Sequence, residues 1–473
     1  MTFRKTSTWL VALGLVLLTG GCAWLRPDQA ARVATGSVAH DLCSETFISA
    51  QDPDRTFAES VAPRPGLELV APLLHYEVDR THGWVRASFA GGFTSTAVYR
   101  EPGGCMLVRE LPACGPECAV GIARLAERAR AGTSLPVAPA ASPALAHVLD
   151  EAFAENAAGA RRNTKAVLIL YRGNIVAERY APGYGPDTPI LGFSLSKSVT
   201  SALVGILVKD GKLKLDTPLF AGRGTGPVPT VENALRMTTG LDLDETGSGF
   251  DPSNHLLYVH TDDMAAFAAQ AAALAPPGRR WAYSSATTHL LARLVRDTAG
   301  GAGAVRQFAQ ERLFGPAGMR HVTMETDATG TPIGAHYIFA STRDWGQFGL
   351  LYLHRGLGPD GRRLLPEDWV RWSTEPTLDT DYGAGWWLNR RAGGASGKGL
   401  DMPLMPDAPP DTFYGLGNLG QYLLVVPSMD LVIVRLGRAH THDFDVDGAN
   451  RLVAGAVAAL GQAPASAETT RRP

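Results

Sequence analysis

The chain has 473 residues, with 44 Lys and Arg against 46 Asp and Glu, a formal net charge of −2, and 45% apolar side chains. Near-neutral charge with no basic run argues against nucleic acid as a partner, and an ordinary apolar fraction argues against a disordered chain. The length suits two or three domains.

The first residues read as an export signal. Arg4 and Lys5 give a basic start, Trp9 to Leu18 is an apolar run, and Leu18-Thr19-Gly20-Gly21-Cys22 places small residues before a cysteine. The run is short for a membrane span and fits a signal peptide. Its end resembles a bacterial lipoprotein box, in which residues 1–21 are removed and Cys22 is lipidated as the mature N-terminus. Thr19 stands where leucine is more usual, which keeps ordinary signal cleavage as the alternative. Alanine at position 23 points to the outer membrane rather than the inner one. The expectation is a periplasmic protein of the bacterial envelope that meets the membrane only through a lipid anchor on Cys22.

Four further cysteines, Cys43, Cys105, Cys114 and Cys118, make an even set in an oxidising compartment, where disulfides are expected over free thiols. Three pairings are possible. Cys43–Cys105 with Cys114–Cys118 is preferred, because Gly115 and Pro116 let the short loop close. No histidine stands near them at ligand spacing, so no metal is expected there. Residues 22–130 form a first, β-rich unit, with strands at Leu67 to Val78, Trp84 to Phe89 and Thr94 to Tyr99. An alanine- and proline-rich linker at 131–143 follows.

The second unit spans 144–460 and leaves a tail at 461–473. Ala166 to Tyr171 and Ile175 to Tyr180 read as strands joined by a turn at Arg172-Gly173-Asn174. A helical, loop-rich middle has candidates at Asn233 to Met237, Thr261 to Leu274, Thr287 to Thr298 and Gly303 to Leu313. Gln421 to Val426 and Leu431 to Leu436 return as strands, and Ala449 to Leu460 closes the unit as a helix. Strands at both ends with helices between them imply an α+β fold around an antiparallel sheet.

The chemistry centres on GFSLSKSVTSALVGILVKDGKL, Gly192 to Leu213. From Ser194 to Val208 the only charge is Lys197, in a segment apolar enough to be buried, with Gly211 as a stop signal. Ser194 and Lys197 are three apart and share a helix face. Desolvation and the helix dipole both lower the pKa of such an amine, and a neutral amine can take the serine proton. The Ser194 N–H at the helix start can hold an oxyanion. The bland alternative is an N-cap serine with a lysine reaching out to solvent.

Two other sites can join it. Tyr283-Ser284-Ser285 precedes an apolar helix and offers a phenol for proton transfer. Gly417-Asn418-Leu419-Gly420-Gln421 opens a strand, where glycines allow close approach and the Gln421 N–H is a candidate second oxyanion donor.

Together these sites resemble the serine β-lactamase and penicillin-binding-protein superfamily, in its class C-like branch. Ser194-x-x-Lys197 resembles the first motif. Tyr283-Ser284-Ser285 resembles its Tyr-x-Asn element, with Ser285 in place of asparagine. Asn418-Leu419-Gly420 stands where Lys-Thr-Gly or His-x-Gly is usual. The runs YSSATTHLLARLVRDTAG, DGKLKLDTPL and GQYLLVVPSMDLVIVRLG are similar to 6-aminohexanoate-dimer hydrolases. The resemblance implies an antiparallel sheet flanked by helices, an all-helical subdomain, an active site between them, and an acyl-enzyme on Ser194. It implies a small-molecule amide or ester as substrate and no cofactor. Uncharged Asn418, with Ser285, points away from β-lactams and D-Ala-D-Ala peptides, toward esterases and linear-amide hydrolases. Which of Lys197 and Tyr283 is the resting base stays open, and no Glu pattern marks a separate deacylating carboxylate.

Two rival readings remain. Gly192-Phe193-Ser194-Leu195-Ser196 is close to an α/β-hydrolase elbow, with Asp430 and His440 following in order, but the last glycine is missing and no βα alternation surrounds it. A non-catalytic binding protein of the envelope is the other, and Asn418 is its best support. His336 and Tyr337 are expected to be packed or at the surface rather than in a pocket. His440 and His442 have still less claim on the cleft rim, and Trp386 and Trp387 are expected in the core.

Overall fold

The computed structural model describes residues 27–110, 138–155, 161–221, 227–246, 251–390, 405–441 and 444–461. Cys22, Cys114, Cys118, His442, most of the 131–143 linker and the tail beyond 461 lie outside them. From the N-terminus come helix α1 (Pro27–Phe47) and an antiparallel meander of β1 (Leu74–Asp79), β2 (Trp84–Phe89), β3 (Gly92–Arg100) and β4 (Gly104–Val108). Helix α2 (Pro143–Phe153) leads to β5 (Thr164–Tyr171), β6 (Asn174–Tyr180), the short β7 (Ile190–Leu191) and helix α3 (Leu195–Lys209). The middle is helical, with α4 (Val231–Leu235), α5 (Pro252–Tyr258), α6 (Met264–Ala268), α7 (Ser285–Thr298) and α8 (Val305–Ala309). Then come β8 (Val322–Met324), β9 (Ile338–Ala340), α9 (Thr342–Leu353) and α10 (Trp369–Ser373). Strands β10 (Trp387–Leu388), β11 (Phe413–Gly417), β12 (Gln421–Val426) and β13 (Leu431–Gly437) and helix α11 (Val446–Gly461) close the chain.

The main sheet runs β10-β11-β12-β13-β5-β6, antiparallel throughout. Its hairpin β5–β6 turns on Arg172 (φ 51°) and Gly173 (φ 74°), the two positive φ values that a type I′ turn requires. Period-2 alternation sorts its side chains onto two faces. Leu168, Leu170, Leu423, Val425, Val432 and Val434 share one core with α3 and α9. Val167, Ile169, Leu424, Leu431 and Ile433 pack in a second core with Leu145, Val148 and Leu149 of α2 and Leu452 and Val453 of α11. The molecule is therefore α+β: an antiparallel sheet flanked by helices, a helical subdomain, and a small N-terminal sheet.

The N-terminal unit departs from expectation in two ways. It contains α1, a long helix that the β-rich reading lacked, and residues 67–73 are turns rather than the start of the Leu67 to Val78 strand. Pro72 has no N–H for a ladder and stands in a 3-10 turn at Ala71–Leu73, so pairing begins only at Leu74. The unit is also not a separate body. Val38, Leu42 and Phe47 of α1 belong to the same core as Leu168 and Val199. Cys43 in α1 and Cys105 in β4 form a disulfide. The Glu325 carboxylate accepts from His40 Nε2 (3.0 Å), Ser44 Oγ (2.8 Å) and the Cys105 N–H (2.6 Å).

Candidate active site

Helix α3 runs through the core between the sheet and the helical subdomain. Val199, Val204 and Leu207 are wholly buried, each contributing about 1.5–3 kcal/mol by the usual scale for such side chains. Phe193, just before it, has φ 47°, a left-handed conformation that costs an L-residue of order 1–2 kcal/mol. Tertiary contacts hold it there: the His336 ring meets its edge at 5.0 Å and the Arg438 guanidinium lies 5.9 Å from its centroid. Ser194 follows as the N-cap residue, yet its side chain makes no capping bond, so the hydroxyl is left for other work. The Leu195, Ser196 and Lys197 amides bond back to Gly192, Phe193 and Ser194 at 3.0–3.1 Å. Among the described residues no backbone carbonyl takes the Ser194 N–H.

Lys197 turns inward and is 3% exposed. Its Nζ lies 2.8 Å from Ser194 Oγ, 2.9 Å from Ser285 Oγ and 3.4 Å from the Ala335 carbonyl oxygen. Nζ also stands over the Tyr283 ring, 4.6 Å from its centroid. Burial pushes the amine down to about 8, against the pull of the Glu245 carboxylate. Tyr283 is boxed in by Tyr382 and Trp387, at ring distances of 5.8 and 5.3 Å. Burial first, then Tyr382 and Glu245, hold its phenol well above the ordinary value, while a hydrogen bond with Ser194 pulls the other way. Ser194, Lys197 and Tyr283 thus converge on one point, and the ordering of their pKa values favours Lys197 over Tyr283 as the group that gives up its proton first.

The third site needs correction. Gln421 lies opposite Gly417 in the β11–β12 register, and it is Gly417 that abuts the segment leading into α3, at the Gly192 carbonyl. A strand amide points within its sheet, toward β11 or β13 here, and so the Gln421 N–H does not face Ser194. The Gln421 side chain is fully buried and bonds the Asn418 and Gly437 carbonyls. The close approach is made instead by Gly417 and Gly415. A Cβ on Gly417 would overlap the Gly192 carbonyl oxygen, and one on Gly415 would lie 2.8 Å from Leu195 Cδ2. Gly420 belongs to the hairpin turn (φ 78°) and packs on Arg435 rather than on the helix. Asn418, half-buried, follows β11 directly; its Oδ1 accepts from Leu419 N at 2.9 Å, and no backbone carbonyl among the described residues takes its own N–H. Ser285 is no substrate-binding group either: it is fully buried, with its hydroxyl held between Lys197 and Glu245.

Glu245 is the residue that sequence reasoning missed. Its Oε2 accepts from Ser285 N and Ser285 Oγ, both at 2.9 Å, and Ser253 Oγ reaches the same oxygen at 3.4 Å. It sits in the acidic run Asp242-Leu243-Asp244-Glu245, which nothing local marks as different from a solvated loop. The α/β-hydrolase reading falls on geometry. Asp430 is exposed in the turn before β13, where its carbonyl accepts from Arg172 N, and His440 Nε2 is within 2.7 Å of the Glu59 carbonyl. Trp386 and Trp387 are core residues, as expected. Tyr337 is buried and hydrogen-bonds Asp41 of α1 at 2.6 Å, and His336 is half-buried against Phe193.

Residues 149–458 match the Beta-lactamase family profile. The chain belongs to the β-lactamase family. It is a serine hydrolase of that fold, and α1 with β1–β4 precedes the matched region. The 6-aminohexanoate-dimer hydrolase of Paenarthrobacter ureafaciens is 26% identical over 309 residues, 58% of this chain and 72% of that one. A Bacillus anthracis structure, provisionally described as a 6-aminohexanoate-dimer hydrolase, superposes with a TM-score of 0.53 at 20% identity, over 64% of this chain and 81% of its own. A penicillin-binding-protein homologue from Caulobacter crescentus gives 0.51 at 19% identity, over 68% and 100%.

Proposed function

We propose that the protein hydrolyses an amide or ester through an acyl-enzyme on Ser194. One observation carries this: a buried Lys197 amine, poised near neutrality, 2.8 Å from a serine hydroxyl that caps nothing. The neutral amine takes the Ser194 proton as Oγ attacks the substrate carbonyl. The oxyanion is held by the Ser194 N–H and, from the turn that follows β11, the Asn418 N–H. Tyr283, still a phenol, protonates the departing nitrogen or oxygen, and the Lys197 ammonium restores the phenol's proton. Water then attacks the acyl carbon, its proton goes to the same amine, and Ser194 leaves with a proton returned to it.

For the substrate, the relative from Paenarthrobacter ureafaciens is named for a linear amide, and Asn418 supplies no cation for the carboxylate of a β-lactam or a D-Ala-D-Ala peptide. A short linear amide or an ester of similar shape is the substrate class. From the basic start, the apolar run and the small residues before Cys22, we further propose export to the bacterial envelope and a lipid anchor on Cys22. Intact mass after a fluorophosphonate tests the nucleophile: one adduct on the wild type and none on Ser194→Ala is expected, and an undiminished adduct on the variant refutes it. A panel of p-nitrophenyl esters, nitrocefin and linear ω-amino-acid amides tests the substrate class, and turnover of nitrocefin above the others refutes it.

A further inference from the structure

We propose that Glu245 is a positioning residue that sets the direction of the hydrogen bonds at the Ser194–Lys197 pair. This rests on the reading of Lys197 as the base. A serine hydroxyl has one proton, and Ser285 Oγ has two neighbours that could take it, Glu245 Oε2 at 2.9 Å and Lys197 Nζ at 2.9 Å. The carboxylate can only accept, and it is fixed in place by a second bond from the Ser285 N–H. The Ser285 proton therefore goes to Glu245. That leaves Ser285 Oγ facing Lys197 as an acceptor.

The consequence is at the amine. A neutral amine has two N–H bonds and one lone pair. Ser285 Oγ at 2.9 Å and the Ala335 carbonyl at 3.4 Å take the two N–H bonds, and the lone pair is left for Ser194 Oγ at 2.8 Å. Were the Ser285 proton turned the other way, it would occupy that lone pair and the base would be blocked. Glu245 acts without touching the reacting atoms. Its half-buried loop position brings it to Ser285 from 40 residues away in the chain.

Direction and charge can be separated. Glu245→Gln can still present a carbonyl oxygen to both Ser285 donors, so it keeps the direction and loses the charge. Glu245→Leu loses both. The titratable groups facing Lys197 are Tyr283, Glu245, His289 and His336. The phenol is held well above its ordinary value, and burial pushes the two imidazoles down to about 4 and about 3. Lys197 is then the group that shapes the acid limb of kcat/KM, and loss of the Glu245 charge moves that limb to lower pH.

The test measures kcat/KM against pH on a p-nitrophenyl ester, per site titrated with fluorophosphonate. Glu245→Leu is expected to lower the plateau about 10- to 100-fold. Glu245→Gln is expected to recover most of the plateau while its acid limb stays below that of the wild type. A Glu245→Leu plateau within twofold of wild type overturns the proposal, and so does a Glu245→Gln plateau as low as that of Glu245→Leu. If Glu245→Leu does not fold, Ser285→Ala and Ser285→Thr replace it, with loss expected in the first and recovery in the second, and equal plateaus overturning the proposal. A wild type without the Ser194 adduct defeats the underlying reading instead, which keeps the two failures distinct.

Discussion

A lysine can act as a base only if it can lose its proton, and at position 197 the fold arranges that. Arginine cannot do so, because its guanidinium stays charged. Lys197→Arg is expected to be inactive up to pH 9, whereas wild-type kcat/KM rises through about 8 as the amine becomes neutral. A pH profile of both proteins checks this. Holding the amine at about 8 instead of 10.5 also costs the fold about 3 kcal/mol wherever the amine is protonated. The sign follows: below pH 8 both folded and unfolded chains carry the charge and the cost is full, and between 8 and 10.5 it fades as the folded form gives up its proton first. Lys197→Met is therefore expected to melt higher than wild type at pH 7, by a margin that shrinks toward pH 10, even as activity disappears. Tyr283→Phe keeps the ring box with Tyr382 and Trp387 and loses only the hydroxyl, so a fall in kcat of about 10²- to 10⁴-fold is expected with little change in melting. Ser194, Lys197 and Tyr283 could be read in advance because spacing or a short motif marks each of them. Glu245 could not, since its only distinction is a contact made across 40 residues.

At the scale of elements, the site depends on how closely β11 lies against the start of α3. Gly417 permits that approach, and Gly417→Ala is expected to push the strand off the Gly192 carbonyl. Loss of kcat by more than about 10-fold, with cooperative melting retained, is the expected signature in kinetics and calorimetry. The same strand shows why Gln421 was misplaced. Counting along the chain put Gln421 in the strand that borders the serine, but the hairpin turn at 418–420 sends it one strand further away. The sheet strands themselves were legible, because alternation and turn residues such as Arg172-Gly173 are local signals. One middle helix was overextended, Met264–Ala268 against an expected Thr261 to Leu274, because a short helix there is set by its cap and packing, whereas Ser285–Thr298 begins two residues before the expected Thr287. Helix α1 was missed for a physical reason. Its alanine, serine, threonine and glycine positions are buried nearly all round from Ala34 to Phe47, so no apolar stripe betrays it.

For the molecule as a whole, α1 is a structural part of the hydrolase rather than an appendage. Asp41 holds Tyr337 at 2.6 Å, two residues from the carbonyl that Lys197 meets, and Glu45 pairs with Arg438, which lies over Phe193. The Cys43–Cys105 bridge closes a loop of 62 residues, which by loop entropy is worth about 4 kcal/mol. Replacing both cysteines by serine is expected to lower the melting temperature by several degrees, as read by calorimetry, and to leave the fluorophosphonate adduct in place at 25 °C.

The burial of α1 also bears on where the enzyme can work. On the proposed lipidation, Cys22 and Pro27 are five residues apart, and a fully extended chain of that length spans no more than about 18 Å. Such a leash is too short to let the body swing out into the surrounding space. The crevice would stay within one protein diameter of the leaflet, and its substrates would be compounds that diffuse to the bilayer surface rather than polymers out of reach above it.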